Sequence, residues 1–151
     1  MIKTIRRGLK GDEGFTLIEL MVVVMIIAVL IAIAIPSFLG FRKSAQDRSA
    51  QSDLRNVLVA EKAIWLDTGD YTEAEADIQA FEPNARFTGA EAVTLSLNAD
   101  SNDVVCLTAT AASGNTWAIW ESSTGGTFYG NTDLSTCPAT APAEGYAQGG
   151  W

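Results

Sequence analysis

The side chains able to do chemistry are few and unevenly placed. Glu19 stands immediately before 22 consecutive residues, Leu20 to Phe41, that carry no charge. If that run lies in lipid, a carboxylate at its edge costs about 2.5 kcal/mol or more, which makes Glu19 a candidate functional residue. Two acidic groups, Asp70 with Glu73, Glu75 and Asp77, and Asp100 with Asp103 and Asp133, are candidate calcium ligands. Neither has the regular spacing of a cation-binding loop, so a solvated acidic face is the preferred reading. No cofactor is expected, calcium being the alternative. The chain contains no histidine, which removes the commonest general base and metal ligand. Its two cysteines, Cys106 and Cys137, cannot build a thiolate zinc site unaided, and no metal site is expected. No nucleophile–base constellation stands out, so no catalytic residue is assigned and the chain is not read as an enzyme.

These residues must be positioned by two unlike parts. The chain has 151 residues, enough for one domain and an accessory segment. Its 48% hydrophobic content is concentrated between Leu20 and Ile35, where no side chain is polar. Roughly 20 apolar residues in a helix cross a bilayer core. Lipid forces backbone hydrogen bonds inside the segment and so favours helix despite the β-branched residues. Lys3, Arg6, Arg7 and Lys10 precede the run, and Arg42, Lys43, Arg48 and Arg55 follow it, so charge does not orient it. A secretory signal peptide cut after Ala32-Ile33-Ala34 is a rival reading. The net charge of −8 argues against general affinity for phosphates, and no specific nucleic acid is expected as a partner.

Asp12-Glu13-Gly14-Phe15-Thr16-Leu17-Ile18-Glu19-Leu20, followed by the apolar run and Pro36, resembles the processing region of type IV prepilins and related pseudopilins. The resemblance continues through Ser52-Asp53-Leu54-Arg55-Asn56 and covers about the first third of the chain. It implies cleavage between Gly14 and Phe15 by a membrane aspartyl peptidase, followed by N-methylation of Phe15. Glycine suits the cut, because nothing obstructs approach to its carbonyl. Unlike a cut at Ala34, this one leaves the apolar segment attached. The family reading also implies that Glu19 pairs with the Phe15 amine of a neighbouring subunit during assembly. Both charges are costly in lipid or in a packed helical core, which fits such a pairing. Family members often staple the carboxyl-terminal loop, and a Cys106–Cys137 disulfide is expected on that ground, against two free thiols.

Beyond Pro36, Ala50, Leu54, Val57, Leu58, Ile64 and Trp65 recur at helical spacing, with Asp47, Arg48, Asp53, Arg55 and Lys62 between them. A helix from Phe15 to about Thr68 is expected, stopped by Gly69, with a kink or a locally melted turn at Pro36. Its apolar face should cover an antiparallel meander of three strands at 93–97, 105–109 and 117–120, with 127–129 as a fourth. Turns are expected at 98–102 and 113–115. Asp70 to Glu91 reads as a connecting loop, and Pro138 to Trp151 as an irregular tail. Trp65, Trp117 and Trp120 read as core. Phe15, Phe38 and Phe41 read as helix-packing residues, and Trp151 as an exposed end.

The expected organisation is α+β: a leader (1–14), a transmembrane and assembly half-helix (15–41), an amphipathic half (42–68) and a globular head (69–151). The resemblance implies a structural subunit of a type IV pilus that polymerises with identical copies. The other partners implied are the prepilin peptidase, an assembly ATPase with platform proteins, and the membrane before assembly. The subunit would span the inner or cytoplasmic membrane once, head outside, and then join a surface filament. The alternatives are a pseudopilin of a type II secretion or DNA-uptake system, and a secreted binding domain.

Overall fold

A computed structural model describes residues 14–151; residues 1–13 of the expected leader lie outside the described residues. The chain divides into two units, one ending at Leu39 and one spanning Gly40–Trp151. Helix α1 (Leu17–Thr68) begins in the first and ends in the second. Within the first unit, every described residue is exposed, including Phe15, Met25, Ile33 and Phe38. Such a helix has no core of its own and depends on lipid or other copies for its burial. The backbone stays helical through Pro36, so the melted turn expected there is absent. The proline removes one backbone donor, but the turns on either side hold the helix.

In the second unit, α1 becomes amphipathic as expected. Ala50, Leu54, Val57, Leu58, Ala60, Glu61 and Ile64 are buried. Gly69 ends the helix with φ at +90°, a conformation that favours glycine, and its N–H bonds the Trp65 carbonyl at 2.8 Å.

The sheet is a five-stranded antiparallel meander, β1 (Val93–Asn98), β2 (Ser101–Thr110), β3 (Thr116–Ser122), β4 (Gly126–Gly130) and β5 (Tyr146–Ala147). It therefore has more strands than the expected three or four. The turn expected over 98–102 is tighter, because β2 already starts at Ser101 and Asp100 N–H bonds Asn98 Oδ1 at 3.0 Å.

Alternation sorts the strands onto two faces. Val105, Leu107, Ala109 and Ile119 join the α1 residues in one core. Val104, Cys106, Ala118 and Trp120 form a second core with Leu134 and Cys137, packed by Ala141 and Tyr146. The tail, largely irregular as expected, thus covers the back of the sheet. Its β5 pairs with β4, where a Cβ on Gly130 would stand 2.5 Å from the Tyr146 ring. Only glycine permits that approach. The segment 70–91 also differs from expectation: it contains helix α2 (Glu75–Phe81), which pins itself to the core through Ile78 alone. Acidic side chains in its first turn favour the helix N-terminus.

Trp120 is buried, and Trp65 and Trp117 pack partly buried against the helix-side core, as expected. Trp151 is not an exposed end. Its Nε1–H donates to Gly130 O at 2.7 Å, and its ring meets Trp117 and Tyr129 edge-on.

Candidate assembly and processing site

Gly14, Phe15 and Thr16 are non-helical and exposed, Phe15 at 92%, so the Gly14–Phe15 peptide lies in accessible backbone just before α1. Thr16 fixes where the helix starts. Its N–H and hydroxyl donate to Glu19 Oε2 at 2.9 and 2.7 Å, while its Oγ1 accepts from the Glu19 N–H at 3.3 Å. This is a capping box, in which the side chains of Thr16 and Glu19 satisfy each other's backbone donors. The pattern Thr-x-x-Glu was visible in the sequence, but the reading above assigned Glu19 no intrachain role. Glu19 Oε1 accepts no hydrogen bond among the described residues. Phe15, Ile18, Val22 and Val23 line a shallow apolar groove beside it. The carboxylate can therefore hold its own helix end with one oxygen and offer the other outward. Pro36, the remaining expected assembly residue, is exposed farther along the same helix.

In the head, Cys106 and Cys137 form a disulfide with Cα atoms 5.4 Å apart. It ties the interior strand β2 to the start of the tail beside Asn98, whose Nδ2 donates to Cys137 O at 3.0 Å. The calcium candidates are not gathered: among the described residues no three Asp, Glu or Cys side chains converge as a metal-binding group. Instead, Glu73 Oε1 accepts from the Leu97 N–H at 2.6 Å, and Asp133 Oδ1 from the Ser135 N–H at 2.9 Å.

Three carboxylates to which the sequence reading gave no partner do structural work. Asp47 receives the β2–β3 turn: Ser113 Oγ, Asn115 Nδ2 (3.0 Å) and Trp117 Nε1 (3.4 Å) all donate to it. Burial pushes the Asp47 carboxyl up, but these donors outweigh it and hold the pKa below the ordinary aspartate value. Glu61 has no exposed surface. Its Oε2 accepts from the Thr72 N–H at 3.2 Å, while Oε1 is buried without a partner. Burial raises its pKa to about 7, against the lowering effect of that bond. Glu121, on the helix-facing side of β3, forms an ion pair with Lys62 Nζ at 3.1 Å and accepts from Tyr71 Oη at 3.3 Å. Burial and the Glu121 charge raise the Tyr71 pKa. A signal for Glu61 existed: it falls four residues after Val57 and three before Ile64, in the apolar register of α1.

Residues 9–35 match the prokaryotic N-terminal methylation motif. The chain is 32% identical over 109 residues to the type IV wide pilus major component PilA4 of Thermus thermophilus, covering 72% of this chain and 81% of that protein. It is 39% identical over 67 residues to the type IV major pilin protein PilA of Myxococcus xanthus, covering 44% of this chain and 30% of that one. It is 33% identical over 84 residues to the type II secretion system core protein G of Klebsiella pneumoniae, covering 52% of this chain and 60% of that one.

Proposed function

The chain belongs to the type IV pilin and pseudopilin family, and on that premise we propose that it is a structural subunit of a type IV pilus, processed and assembled through the start of α1. The carrying observation is the exposed apolar stretch of α1, which leaves its whole surface for lipid first and for identical copies afterwards. Residues 1–14 act as the leader, 15–41 as membrane anchor and assembly surface, 42–68 as the head-bearing half of α1, and 69–151 as the head.

Cleavage at Gly14–Phe15 frees an amine on Phe15, which is then N-methylated. The accessible, non-helical backbone at that junction supports this step. Glu19 then presents its open oxygen to the amine of a neighbouring copy. Pairing removes two charges that would each be expensive alone in an apolar setting. Pro36 eases the bending that packing of neighbouring α1 helices requires. The precursor spans the membrane once with its head on the oxidising side, in keeping with the Cys106–Cys137 disulfide. Prepilin peptidase and an assembly ATPase with its platform complete the pathway. The chemistry is done on the subunit, and the subunit itself acts on no substrate.

Mass spectrometry of sheared filaments tests the reading. A mature chain beginning at N-methylated Phe15 is expected; one beginning at Ile35 would overturn it in favour of a secreted domain. The likeness to type II secretion protein G gives a second reading, a pseudopilin. Deleting the gene separates them: loss of surface filaments supports the pilus, whereas loss of protein secretion with filaments intact supports the pseudopilus.

A further inference from the structure

The head unit carries two accessible surfaces of complementary composition. The first is a groove between the end of α1 and α2, lined by Ile64, Asp67, Thr68, Asp77, Ala80 and Phe81. Phe81 is 55% exposed on its rim. The Asp67 and Asp77 carboxylates are exposed, and among the described residues neither has a hydrogen bond or ion pair. An apolar floor flanked by two unpaired carboxylates is the complement of an aromatic flanked by cations.

The second surface has that composition. Phe41 is 73% exposed, and Arg42 and Arg48 are exposed and take part in no ion pair among the described residues. Phe41 and Arg48 are seven residues apart on α1 and so share one face, with Arg42 adjacent. Lys43 is already near Asp47, whose pKa it helps to lower, and so is less available. Guanidinium groups suit carboxylate partners, because they present several donors in a planar fork. Phe81 offers an aromatic contact to Phe41.

We propose that the α1–α2 groove of one head receives the Phe41–Arg48 face of a second copy, an inference that rests on the polymer-forming role proposed above. Groove and insert are different patches of one molecule. The contact is therefore head-to-tail, and repetition extends an open chain instead of closing a pair. Asp67 lies 25 residues beyond Arg42 on the same helix, so the contact staggers neighbouring copies by roughly 37 Å along α1 at about 1.5 Å per residue. Its charges set register and partner choice, while the aromatic and aliphatic residues bury area. Acidic heads that would otherwise repel one another gain a defined opposite-charge contact.

Two experiments on the full-length chain test it. In the first, D67K with D77K reverses one side and R42E with R48E the other. Each pair of changes is expected to lower sheared filament yield by about tenfold or more, and the four together to restore most of it. Undiminished yield in either pair overturns the contact, as does a four-fold variant no better than the pairs. Surface positions carry these changes, so folding should survive; disulfide formation and thermal unfolding of each variant check this. In the second, cysteines replace Phe41 and Phe81 together. Oxidation should give a ladder of covalent oligomers on a non-reducing gel, and neither single replacement should give one. The ladder is scored wherever the chain polymerises. A ladder without surface filaments overturns the pilus reading and leaves the contact standing. Filaments without a ladder overturn the contact and leave the pilus reading standing.

Discussion

Glu19 and Glu61 lie on one helix and meet opposite surroundings. Around Glu19, every apolar side chain of α1 is exposed, and the carboxylate is steadied only by Thr16. Around Glu61, the helix is packed against the sheet, and the carboxylate is wholly buried with one oxygen unpartnered. The difference lies in where each stretch finds its partner surface. The second finds it within the chain, so its burial is complete in a single subunit. The first must find it in lipid or in other copies, so its energetics belong to the assembly. A carboxylate in the second stretch is a cost to the subunit; one in the first is, on the proposed reading, a group left open for a neighbouring copy.

The largest expected effect breaks the comparison at Glu19. Glu19→Ala should leave the head folded and the leader processed, yet lower filament yield by about a hundredfold or more. Removing one member of a desolvated charge pair typically costs about 3–5 kcal/mol. Mature subunits should accumulate in the membrane, which fractionation and an antibody to the head would measure. Normal filament yield would place the assembly role elsewhere.

Removing the disulfide acts on the other side. Cys106→Ser with Cys137→Ser opens a crosslink spanning 31 positions and joining β2 to the start of the tail. Loss of a native disulfide costs about 2–5 kcal/mol in a small domain. Thermal unfolding monitored by near-ultraviolet circular dichroism should report that loss. The membrane insertion of α1 should be unaffected, because that segment takes nothing from the tail.

Glu61 gives a prediction with a sign. Its pKa rises from an ordinary 4.5 in the unfolded chain to about 7 in the fold. The folded state therefore holds the proton more tightly than the unfolded state. The associated stability is complete below about pH 4.5 and is lost as the pH rises through about 7. A shift of that size is worth about 3 kcal/mol at about 1.36 kcal/mol per unit. Glu61→Gln should flatten the dependence of head stability on pH in that window and make the head more stable at pH 8, by up to about 3 kcal/mol. Denaturant unfolding at a series of pH values reads this directly, and an unchanged slope in the variant would refute the assignment. Asp47 works in the opposite sense. Its pKa is lowered, so its contribution is present at neutral pH and fades as acid protonates it.

What could be read from the residues, and what could not, follows the same division. The apolar run is local in sequence, so composition alone revealed it, and the processing motif was legible through its resemblance to type IV prepilins. The register of α1 on the sheet was also legible, because Leu54, Val57, Leu58 and Ile64 repeat with the helix period. Helix α2 was not, since seven residues with one buried apolar side chain make no period. The tail from Pro138 is largely irregular, as expected, but its packing was not legible: Ala141 and Tyr146 cover the sheet by contacts far apart in sequence, which an Ala-, Gly- and Pro-rich composition conceals. Glu61 and Glu121 were overlooked because their charge suggests surface, while their positions in the helix and strand periods place them inside.

The smallest expected effect sharpens the reading of Glu19 itself. On the proposed reading its two oxygens have different tasks: Oε2 closes the capping box with Thr16, and the other oxygen would meet the amine of a neighbouring copy. Thr16→Ala removes the hydroxyl that both donates to Glu19 and accepts from its N–H. Loss of an N-cap of this kind costs about 1 kcal/mol of helix stability. The first turn of α1 should fray, and amide exchange at Leu17 to Leu20 should quicken severalfold. Filament yield should fall modestly, by far less than in Glu19→Ala, because the carboxylate remains available to its intermolecular partner. Thr16→Ser keeps the hydroxyl and should behave as the parent chain. A Thr16→Ala loss as deep as that of Glu19→Ala would mean that the cap and the assembly contact are one interaction, and the division of labour between the two oxygens would have to be abandoned.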